Sequence, residues 1–275
     1  MSRIYTPWFL LAVALGLAAI YLFPLYWMYI TSLKSGSEIF ANPPTFWPTS
    51  ANIGVFGDVW ARRTMPTYLW NSVVIAGGVT AITVVLGTGC AYVLARYRNV
   101  WIDVGLFCVL MLQVLPASVM VTPLFVGFNQ IGLLNYPRTA VILAAAAKAM
   151  PFFVVLVRAT FMSVPRELEE SALVDGNSRV GAFFSIVLPL ARNGILVCAI
   201  LTFMSAFGEY IYSKSIIQSP VLQPASVGLS GFLGPNSTDW NSIMAYSAIY
   251  VTPILVVFVI LQRRIVAGLT SGALK

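Results

Sequence analysis

Acidic side chains are scarce in this chain and are gathered in one place. Four of its 9 Asp and Glu residues lie in the stretch ELEESALVDG, from Glu167 to Gly176. Grouped carboxylates can act as a catalytic pair or as a docking site for basic residues. The chain contains no histidine, which excludes histidine-based metal sites, catalytic dyads and proton relays. Its three cysteines lack metal-ligand spacing, so we predict no catalytic residue and no metal site.

The composition indicates that these carboxylates belong to a membrane protein. Hydrophobic residues make up 59% of the 275 residues, charged residues only 9%, and the mean hydropathy is +0.86. An ordinary soluble domain has about 25% charged residues. The net charge of +7 is not concentrated in a basic run or face, so the composition excludes nucleic-acid binding as a function.

Six apolar runs are each long enough to cross a bilayer, which takes about 20 residues in a helix. They are Trp8–Ile30, Tyr68–Ala95, Trp101–Phe128, Thr139–Met162, Ile195–Ile217 and Ile243–Leu261. We therefore predict an all-α integral membrane protein, with six transmembrane helices in a single domain over residues 1–275. The first run is too long for the apolar region of a signal peptide, and no cleavage site follows it, so we expect an uncleaved anchor.

Small residues and prolines mark special positions within these runs. Gly87, Ala91 and Ala95 recur every four residues in the second run, a pattern that lets another helix approach closely. Pro116 and Pro123 in the third run each remove a backbone hydrogen bond, which a bilayer tolerates where neighbouring groups compensate. Kinked spans suit a transporter, although they are common in other polytopic proteins.

The placement of Lys and Arg predicts the orientation of the spans. With the N-terminus inside, the outer segments carry fewer basic residues than the inner ones although they are longer in total. The outer basic residues are Lys34, Arg62, Arg63, Arg138 and Lys214. This asymmetry predicts that both termini lie in the cytoplasm. The outer segments Ser32–Thr67 and Ser213–Asn241 are rich in proline and are predicted to be mostly loop.

The acidic stretch falls in the inner segment between the fourth and fifth spans, residues 163–182. Pro165 suits the first turn of a helix, the glutamates follow where the helix dipole favours carboxylates, and Gly176 can end the helix. The pattern predicts a short exposed helix over Pro165–Val174. On these grounds alone, the helix could equally be a solvated loop helix with good caps.

A longer pattern around this helix resembles the EAA loop of bacterial ABC importer permeases. That loop has Glu-Ala-Ala, three residues, Gly, nine residues and Ile-x-Leu-Pro. Here Glu170, Ser171 and Ala172 begin the pattern and Gly176 follows at the family's spacing. The remaining residues that match are Ile186, Leu188 and Pro189. Ser171 replaces the first alanine of the loop, and Asn177 stands where alanine is commoner.

The resemblance extends over nearly the whole chain, to the maltose-type carbohydrate permeases. The tail QRRIVAGLTSGALK and the segment SLKSGSEIFANPPTFWP are similar to the ending and the first outer loop of those proteins. Six spans without a large inserted outer domain resemble the smaller of the two permeases. The sequence FGEY, from Phe207 to Tyr210, departs from the family's Trp-Asn-Glu-Phe, so the substrate is not carried over.

This resemblance implies a permease subunit in the bacterial inner membrane that works with several partners. They would be a second permease subunit, two cytoplasmic ATPase subunits that bind ATP, and an extracytoplasmic solute-binding protein. The acidic helix would be a coupling helix docked on one ATPase subunit. Glu170 would pair with a basic residue there, Ser171 and Ala172 would allow close approach, and Gly176, after Asp175, would need a left-handed conformation. No phosphate loop of the form GxxxxGK[ST] is present, so this chain would bind no cofactor itself.

The same resemblance implies an ordered role for the tail Gln262–Lys275, which would contact the ATPase dimer through an extended backbone of small residues. The tail contacts would be Gly268, Leu269, Thr270, Ser271 and Gly272. Without the resemblance, the tail would be interpreted as a frayed terminus held by Arg263 and Arg264.

Two charged residues, Lys148 and Glu209, lie at similar depths within predicted spans. They could form a structural ion pair or contact the cargo, and Gln113 and Tyr210 are further candidates for the lining of the pore. Within the resemblance the expected cargo is a carbohydrate, and a glycerophosphate-type or polyol solute is the alternative. A rival of another class is an ion-coupled secondary transporter, which should show inverted repeats around midplane carboxylates.

Overall fold

The computed structural model describes residues 5–62, 64–97, 99–232 and 239–270. All regular structure in these residues is helical. The α-helices, in chain order, are α1 (Tyr5–Leu33), α2 (Gly36–Ile39), α3 (Gly54–Arg62), α4 (Met65–Arg96), α5 (Val100–Met111), α6 (Ala117–Gln130), α7 (Pro137–Met162), α8 (Glu167–Val174), α9 (Arg179–Ala182), α10 (Leu188–Phe207), α11 (Ile211–Ile216), α12 (Ala225–Leu229) and α13 (Trp240–Thr270). Short 3-10 turns lie at Leu112–Val114, Leu133–Asn135, Pro220–Leu222 and Ser230–Phe232, and a π-helical turn at Phe183–Val187. The prediction of an all-α membrane protein is confirmed.

Five helical segments are long and apolar enough to cross a membrane by themselves. They are Trp8–Leu33, Met65–Arg96, Pro137–Met162, Arg179–Phe207 and Trp240–Arg263. The predicted third span, Trp101–Phe128, is not one helix, because its two halves meet at an angle of 97°. Six spans result when this bent pair counts as one.

The break in the third span lies at Leu115 and Pro116. Leu115 has ψ 123° and Pro116 has ψ 138°, so both are extended. Proline disfavours the helical conformation of the residue before it and offers no N–H to the preceding turn. Pro123 stays inside α6, so only one of the two prolines ends a helix.

The fifth span also differs from its predicted limits, Ile195–Ile217. Helical backbone begins at Arg179 in α9 and continues through the π-helical turn into α10, which ends at Phe207. Gly208 follows with a non-helical ψ of 5°. The chain then restarts as the separate short helix α11, so the predicted span covers part of α10 and the whole of α11.

Contacts divide the chain into two compact units. One unit comprises Met1–Pro66 and Gly228–Pro253, and the other comprises Thr67–Val227 and Ile254–Lys275. The sequence predicts a single domain over residues 1–275, which covers both units, and this stays a prediction.

In the first unit, the predicted irregular loop after α1 carries the short helices α2 and α3 and is fixed by a buried lysine. The Lys34 ammonium donates to the carbonyl of Thr45 and lies 4.4 Å from the ring centroid of Trp27. Asn241 donates from its side-chain amide to the carbonyl oxygens of Ser32 and Lys34, at 2.8 and 2.7 Å. Each of these bonds satisfies a polar group that would otherwise be buried unpaired.

A carboxylate in α2 completes this arrangement. Glu38 accepts hydrogen bonds from Thr45 Oγ1 at 3.0 Å and from Thr49 N at 2.9 Å. Removal from water raises the pKa of a carboxyl group, but here the hydrogen bonds from Thr49 and Thr45 and the charge of Lys34 outweigh it. The pKa of Glu38 is therefore lowered, and the group is held as a carboxylate.

The core of the second unit lies where α4, α7 and α10 pack together. Its buried members include Ala91, Ala95, Phe153, Phe161 and Ala191. The small-residue stripe of α4 faces α7, since a Cβ added at Gly87 would lie 2.6 Å from the Phe153 ring. The stripe predicted to allow close helix approach therefore does so within this chain.

Candidate functional site

The acidic helix α8 begins at Glu167, two residues later than predicted. The N–H groups of Glu169 and Glu170 bond to the carbonyl of Arg166, at 2.9 and 3.0 Å. The helix ends in a Schellman motif, in which Asn177 N bonds to Ala172 O at 2.9 Å and Gly176 N bonds to Leu173 O at 3.1 Å. Gly176 has φ +86°, which is the left-handed conformation expected from the sequence.

The four carboxylates of this segment do not face the same way. Glu169 points into the protein, where it forms an ion pair with Arg96 and accepts a hydrogen bond from Tyr92 Oη at 2.9 Å. Glu170 is exposed, as are Glu167 and Asp175. Helical geometry explains the division, because neighbouring residues project about 100° apart around the axis.

Ser171 and Ala172 lie in different environments. Ser171 is exposed, and its hydroxyl donates to the carbonyl of Glu167 at 2.8 Å. Ala172 is only 5% exposed, so its small side chain packs within this chain. Ser171 is therefore the small exposed residue on α8, and the close approach of a partner at Ser171 and Ala172 stays a prediction.

Beside α8 lies an open groove of about 510 Å³, lined by both polar and apolar groups. Its lining residues are Leu168, Ser171, Ala172, Asp175, Gly176, Asn177 and Ile186. Exposed apolar side chains are present on α8 itself, with Val174 87% exposed. An exposed helix with apolar and acidic residues and a groove beside it is a suitable surface for a protein partner.

Asn177, one of the two residues that depart from the family's loop pattern, makes a structural contact. Its side-chain amide donates to Ser185 Oγ at 3.2 Å, and Ser185 Oγ donates to the carbonyl of Gly181 at 2.8 Å. A Cβ added at Gly181 would lie 2.0 Å from Asn177 Oδ1. Asn177 therefore ties the end of the acidic segment to the π-helical turn that leads into α10.

The four residues predicted to line a pore are brought together in the second unit. Gln113, Lys148, Glu209 and Tyr210 all line one cavity of about 610 Å³. The remaining lining is mainly apolar and includes aromatic rings and hydroxyl groups, among them Phe152, Phe153, Thr202, Ser205 and Tyr212. This combination of rings and a few polar groups is typical of a small-molecule site.

Glu209 caps a helix from its place in this cavity. Its Oε1 accepts from Tyr212 N at 2.7 Å, and its Oε2 accepts from Ser213 N at 2.8 Å and Ser213 Oγ at 2.6 Å. These bonds satisfy free N–H groups at the start of α11, where the helix dipole favours a carboxylate. Glu209 therefore explains why the chain can restart as a helix inside an apolar region.

Lys148 is exposed, and among the described residues no ion pair joins it to Glu209. Its backbone carbonyl accepts a hydrogen bond from Gln113 Nε2 at 2.5 Å, so Gln113 connects the break of the third span to α7. Of the two roles left open by the sequence, the ion pair with Glu209 is absent from this arrangement.

Up to Thr270, the backbone of the tail is helical and not extended as expected from the sequence. Residues Gln262–Thr270 continue α13 as helix, and Gly268, Leu269 and Thr270 lie in its last turn. Ser271 and Gly272, the other two expected tail contacts, lie outside the described residues. Helix propagation beyond the apolar run is favourable because each added residue closes another backbone hydrogen bond.

Sequence reasoning missed the residues that hold α8 in place. Arg96 and Tyr92 lie at the end of α4 and contact Glu169. Their signal in the sequence is weak, because a basic residue at the end of an apolar run usually marks only the membrane surface.

The family comparison fixes the class of protein. Residues 84–271 match the family described as binding-protein-dependent transport system inner membrane component. This chain belongs to that family. It is therefore a multi-pass membrane protein of a transporter family and not of an enzyme family, and the resemblance to ABC importer permeases is confirmed.

Curated relatives match the permease over most of its length. SmoH of Agrobacterium fabrum, a sulfoquinovosyl glycerol transport system permease protein, is 32% identical over 254 residues, which cover 92% of this chain and 89% of SmoH. SugB of Mycobacterium tuberculosis, a trehalose transport system permease protein, is 32% identical and covers 92% of both chains. DasC of Streptomyces coelicolor, a diacetylchitobiose uptake system permease protein, is 30% identical, with 92% and 91% covered.

The fold of the permease also matches a solved structure. A chain of a bacterial ABC transporter involved in the import of the acidic polysaccharide alginate superposes with a TM-score of 0.77 at 20% identity, and the match covers 96% of this permease and 98% of that chain. At this identity the match establishes the shared fold.

Proposed function

We propose that this permease is a subunit of an ATP-driven ABC importer and forms, with a second permease, the pathway for a carbohydrate. The cargo class is supported by the relatives, whose names assign them sulfoquinovosyl glycerol, trehalose and diacetylchitobiose. In this proposal an extracytoplasmic binding protein delivers the cargo, and two cytoplasmic ATPase subunits bind and hydrolyse ATP.

The observation that carries this proposal is the cavity that unites Gln113, Lys148, Glu209 and Tyr210. Carbohydrates present hydroxyl groups on rings with apolar faces, so a suitable lining combines hydrogen-bonding groups with aromatic side chains. The described lining has both, and Lys148 is its one cation. A pathway for phosphate esters would collect more cationic side chains, so the cavity favours a carbohydrate over a glycerophosphate-type cargo.

In this proposal α8 is the coupling helix, which docks on one ATPase subunit. Its exposed Glu170 and Ser171 and the adjoining groove face away from the core, which leaves them accessible to an ATPase subunit. The asymmetry of Lys and Arg along the sequence supports the orientation, with α8 and both termini on the cytoplasmic side.

The test of this proposal is reconstitution of the permease with its partners in proteoliposomes. We expect uptake of radiolabelled oligosaccharide only when the second permease, the ATPase subunits, the binding protein and ATP are all present. An ion gradient without ATP should drive no uptake. Uptake by this chain alone under an ion gradient would instead establish a secondary transporter.

The assignment of the cavity is tested at Lys148. The variant Lys148→Met keeps the length and most of the apolar volume of the side chain and removes its charge and donors. We expect cargo-dependent transport to fall about ten-fold, which corresponds to the loss of a hydrogen bond to a charged group, while assembly with the ATPase subunits is unchanged. Lys214→Met, which lies in α11 and outside the cavity lining, is the matched control. Equal transport by both variants and the unaltered chain would show that Lys148 does not contact the cargo in the pathway.

A further inference from the structure

A nearly buried ion pair joins the acidic helix to the membrane-spanning part of the chain. Arg96 at the end of α4 pairs with Glu169 of α8, and their side chains are only 13% and 14% exposed. Tyr92, one turn earlier on α4, donates its hydroxyl to the same carboxylate at 2.9 Å. Charged groups that are largely removed from water resist separation, because each would be left without its partner in a medium of lower polarity.

Arg96 makes further bonds that reach a third element. Its Nη1 donates to the carbonyl oxygens of Phe161 and Val164, at 3.1 and 3.4 Å, where α7 ends. Arg166, just before α8, donates from Nη2 to the carbonyl of Arg96 at 2.6 Å. One arginine therefore joins the ends of α4, α7 and α8.

An aromatic cluster supports the same junction from the apolar side. The Tyr92 ring lies 5.7 Å from the Phe161 ring and 4.6 Å from the Phe183 ring, measured between centroids. Phe183 begins the π-helical turn that leads into α10. The hydroxyl of Tyr92 reaches α8 while its ring packs against α7 and the start of α10, which restricts the directions in which α8 can tilt.

Adjacent carboxylates on α8 thus have opposite surroundings. Glu169 is bound inside the chain, whereas Glu170 is exposed. A helix of eight residues is too short to be stable by itself, so its position depends on such tertiary contacts. A displacement applied at Glu170 reaches the end of α4 through the groups that hold α8 against it.

We propose that Arg96 is a positioning residue that makes α8 and the end of α4 move as one body when an ATPase subunit acts on α8. The inference rests on the proposed function, and it adds that the Arg96–Glu169 pair transmits the movement to the second span. Glu169 transmits the movement of α8 to the second span, and Glu170 binds the ATPase subunit. The Tyr92 hydroxyl is an auxiliary contact that holds the Glu169 carboxylate in register with Arg96.

The direct test is a distance measurement between spin labels at Tyr97 and Val174. Both side chains are well exposed, one just after α4 and the other at the end of α8, and Cys90, Cys108 and Cys198 are first replaced by serine. In the otherwise unaltered chain we expect one narrow distance distribution, the same in the nucleotide-free and the ATP-trapped complex. In Glu169→Gln, which removes the charge and keeps the shape, we expect a broader distribution that changes with nucleotide.

A functional measurement on the same complexes separates transmission from folding. For Glu169→Gln we expect transported cargo per ATP hydrolysed to fall about five-fold or more, the lower end of ordinary coupling between sites, while the ATPase subunits stay bound. The matched variant Glu170→Gln should lose bound ATPase subunits and keep the narrow label distribution. Tyr92→Phe should show a smaller loss than Glu169→Gln.

A conservative substitution provides the second readout. Arg96→Lys keeps a positive charge beside Glu169 and a donor for the carbonyls at the end of α7, so its label distribution should be narrower than that of Arg96→Gln. Normal distances and normal transport per ATP in Glu169→Gln would overturn the proposal, as would loss of ATPase binding with unchanged distances. The label distances can also be measured in the chain without partners. If the unaltered chain binds no ATPase subunit, the proposed function is contradicted. The label distances in the isolated chain still test whether Arg96 and Glu169 hold α8 against α4.

Discussion

At the scale of single residues, Gly176 determines how α8 ends. Its φ of +86° is reached without contacts that would obstruct a side chain, since nothing lies within 4 Å of an added Cβ. Any penalty for substitution is therefore a backbone penalty. The sequence allowed this conformation to be predicted, because a glycine directly after a short helix is the usual C′ residue of a Schellman motif.

Gly176→Val tests this backbone requirement. We expect a local penalty of about 1–2 kcal/mol for the left-handed conformation of a bulky residue, and α8 should change its angle to relieve it. Transported cargo per ATP should fall, while the amount of inserted protein stays near that of the parent. Gly176→Asn is the control, because asparagine tolerates left-handed angles. Equal losses in both variants would show that the side chain and not the backbone is at fault.

Glu170→Lys tests the docking role of the exposed carboxylate. Reversal of a charge in a partly desolvated contact should weaken association with the ATPase by about 2 kcal/mol or more. The measurement is the amount of ATPase subunit that copurifies with the permease. Glu167→Lys changes an exposed carboxylate in the same first turn and serves as the control. Normal copurification of Glu170→Lys would exclude the ion pair with the ATPase.

The inward orientation of Glu169 could not be predicted from the same stretch of sequence. Helix geometry predicts that Glu169 and Glu170 face different directions, but it does not say which of them faces the protein. That depends on where Arg96, more than seventy residues earlier, comes to lie. Only the packed ends of α4 and α7 provide this information.

At the scale of elements, the third span shows what a hydropathy pattern can predict and what it cannot. The apolar run predicted a span, and the prolines predicted a distortion, but a kink and a break have the same signature in sequence. The decisive feature is the extended conformation of Leu115 before Pro116. The break between α5 and α6 is connected to α7 through Gln113, which donates to the Lys148 carbonyl.

The packing of α4 on α7 is the element-scale contact that the sequence predicted best. A repeat of small residues every four positions marks a helix face, and this face contacts Phe153 in the structure. The pattern could not identify the partner helix, because α7 and α10 are both long, apolar helices.

Gly87→Leu should disrupt this packing. An added Cβ would already lie 2.6 Å from the Phe153 ring, so we expect a loss of about 1–3 kcal/mol in stability from overpacking. Gly89→Leu is the matched control on the same helix, since nothing lies within 4 Å of its added Cβ. Thermal unfolding of the isolated permease in detergent should be shifted by the first variant and not by the second. Equal shifts of the unfolding temperature in both variants would show that close packing at Gly87 does not stabilise the contact between α4 and α7.

At the scale of the whole molecule, the class of protein followed from composition together with one motif spread over about twenty positions. The composition required a bilayer, and the EAA-like spacing from Glu170 to Pro189 indicated the family that residues 84–271 confirm. Cargo identity does not follow in the same way, because it depends on a few side chains around a cavity that two permeases would share. Charge and depth identify Lys148 and Glu209 in the sequence, whereas their convergence with Gln113 and Tyr210 required the folded chain.

The end of α13 provides the last prediction. The helix continues to Thr270, beyond the apolar run that ends at Leu261. Deletion of residues 269–275 should lower transport-coupled ATP hydrolysis more than it lowers the amount of inserted protein, because the expected contact with the ATPase dimer would be lost while the spans remain. A flexible Gly-Ser segment of the same length in place of these residues separates the effect of sequence from that of chain length. Unaltered hydrolysis in both variants would show that the tail is not part of the coupling machinery.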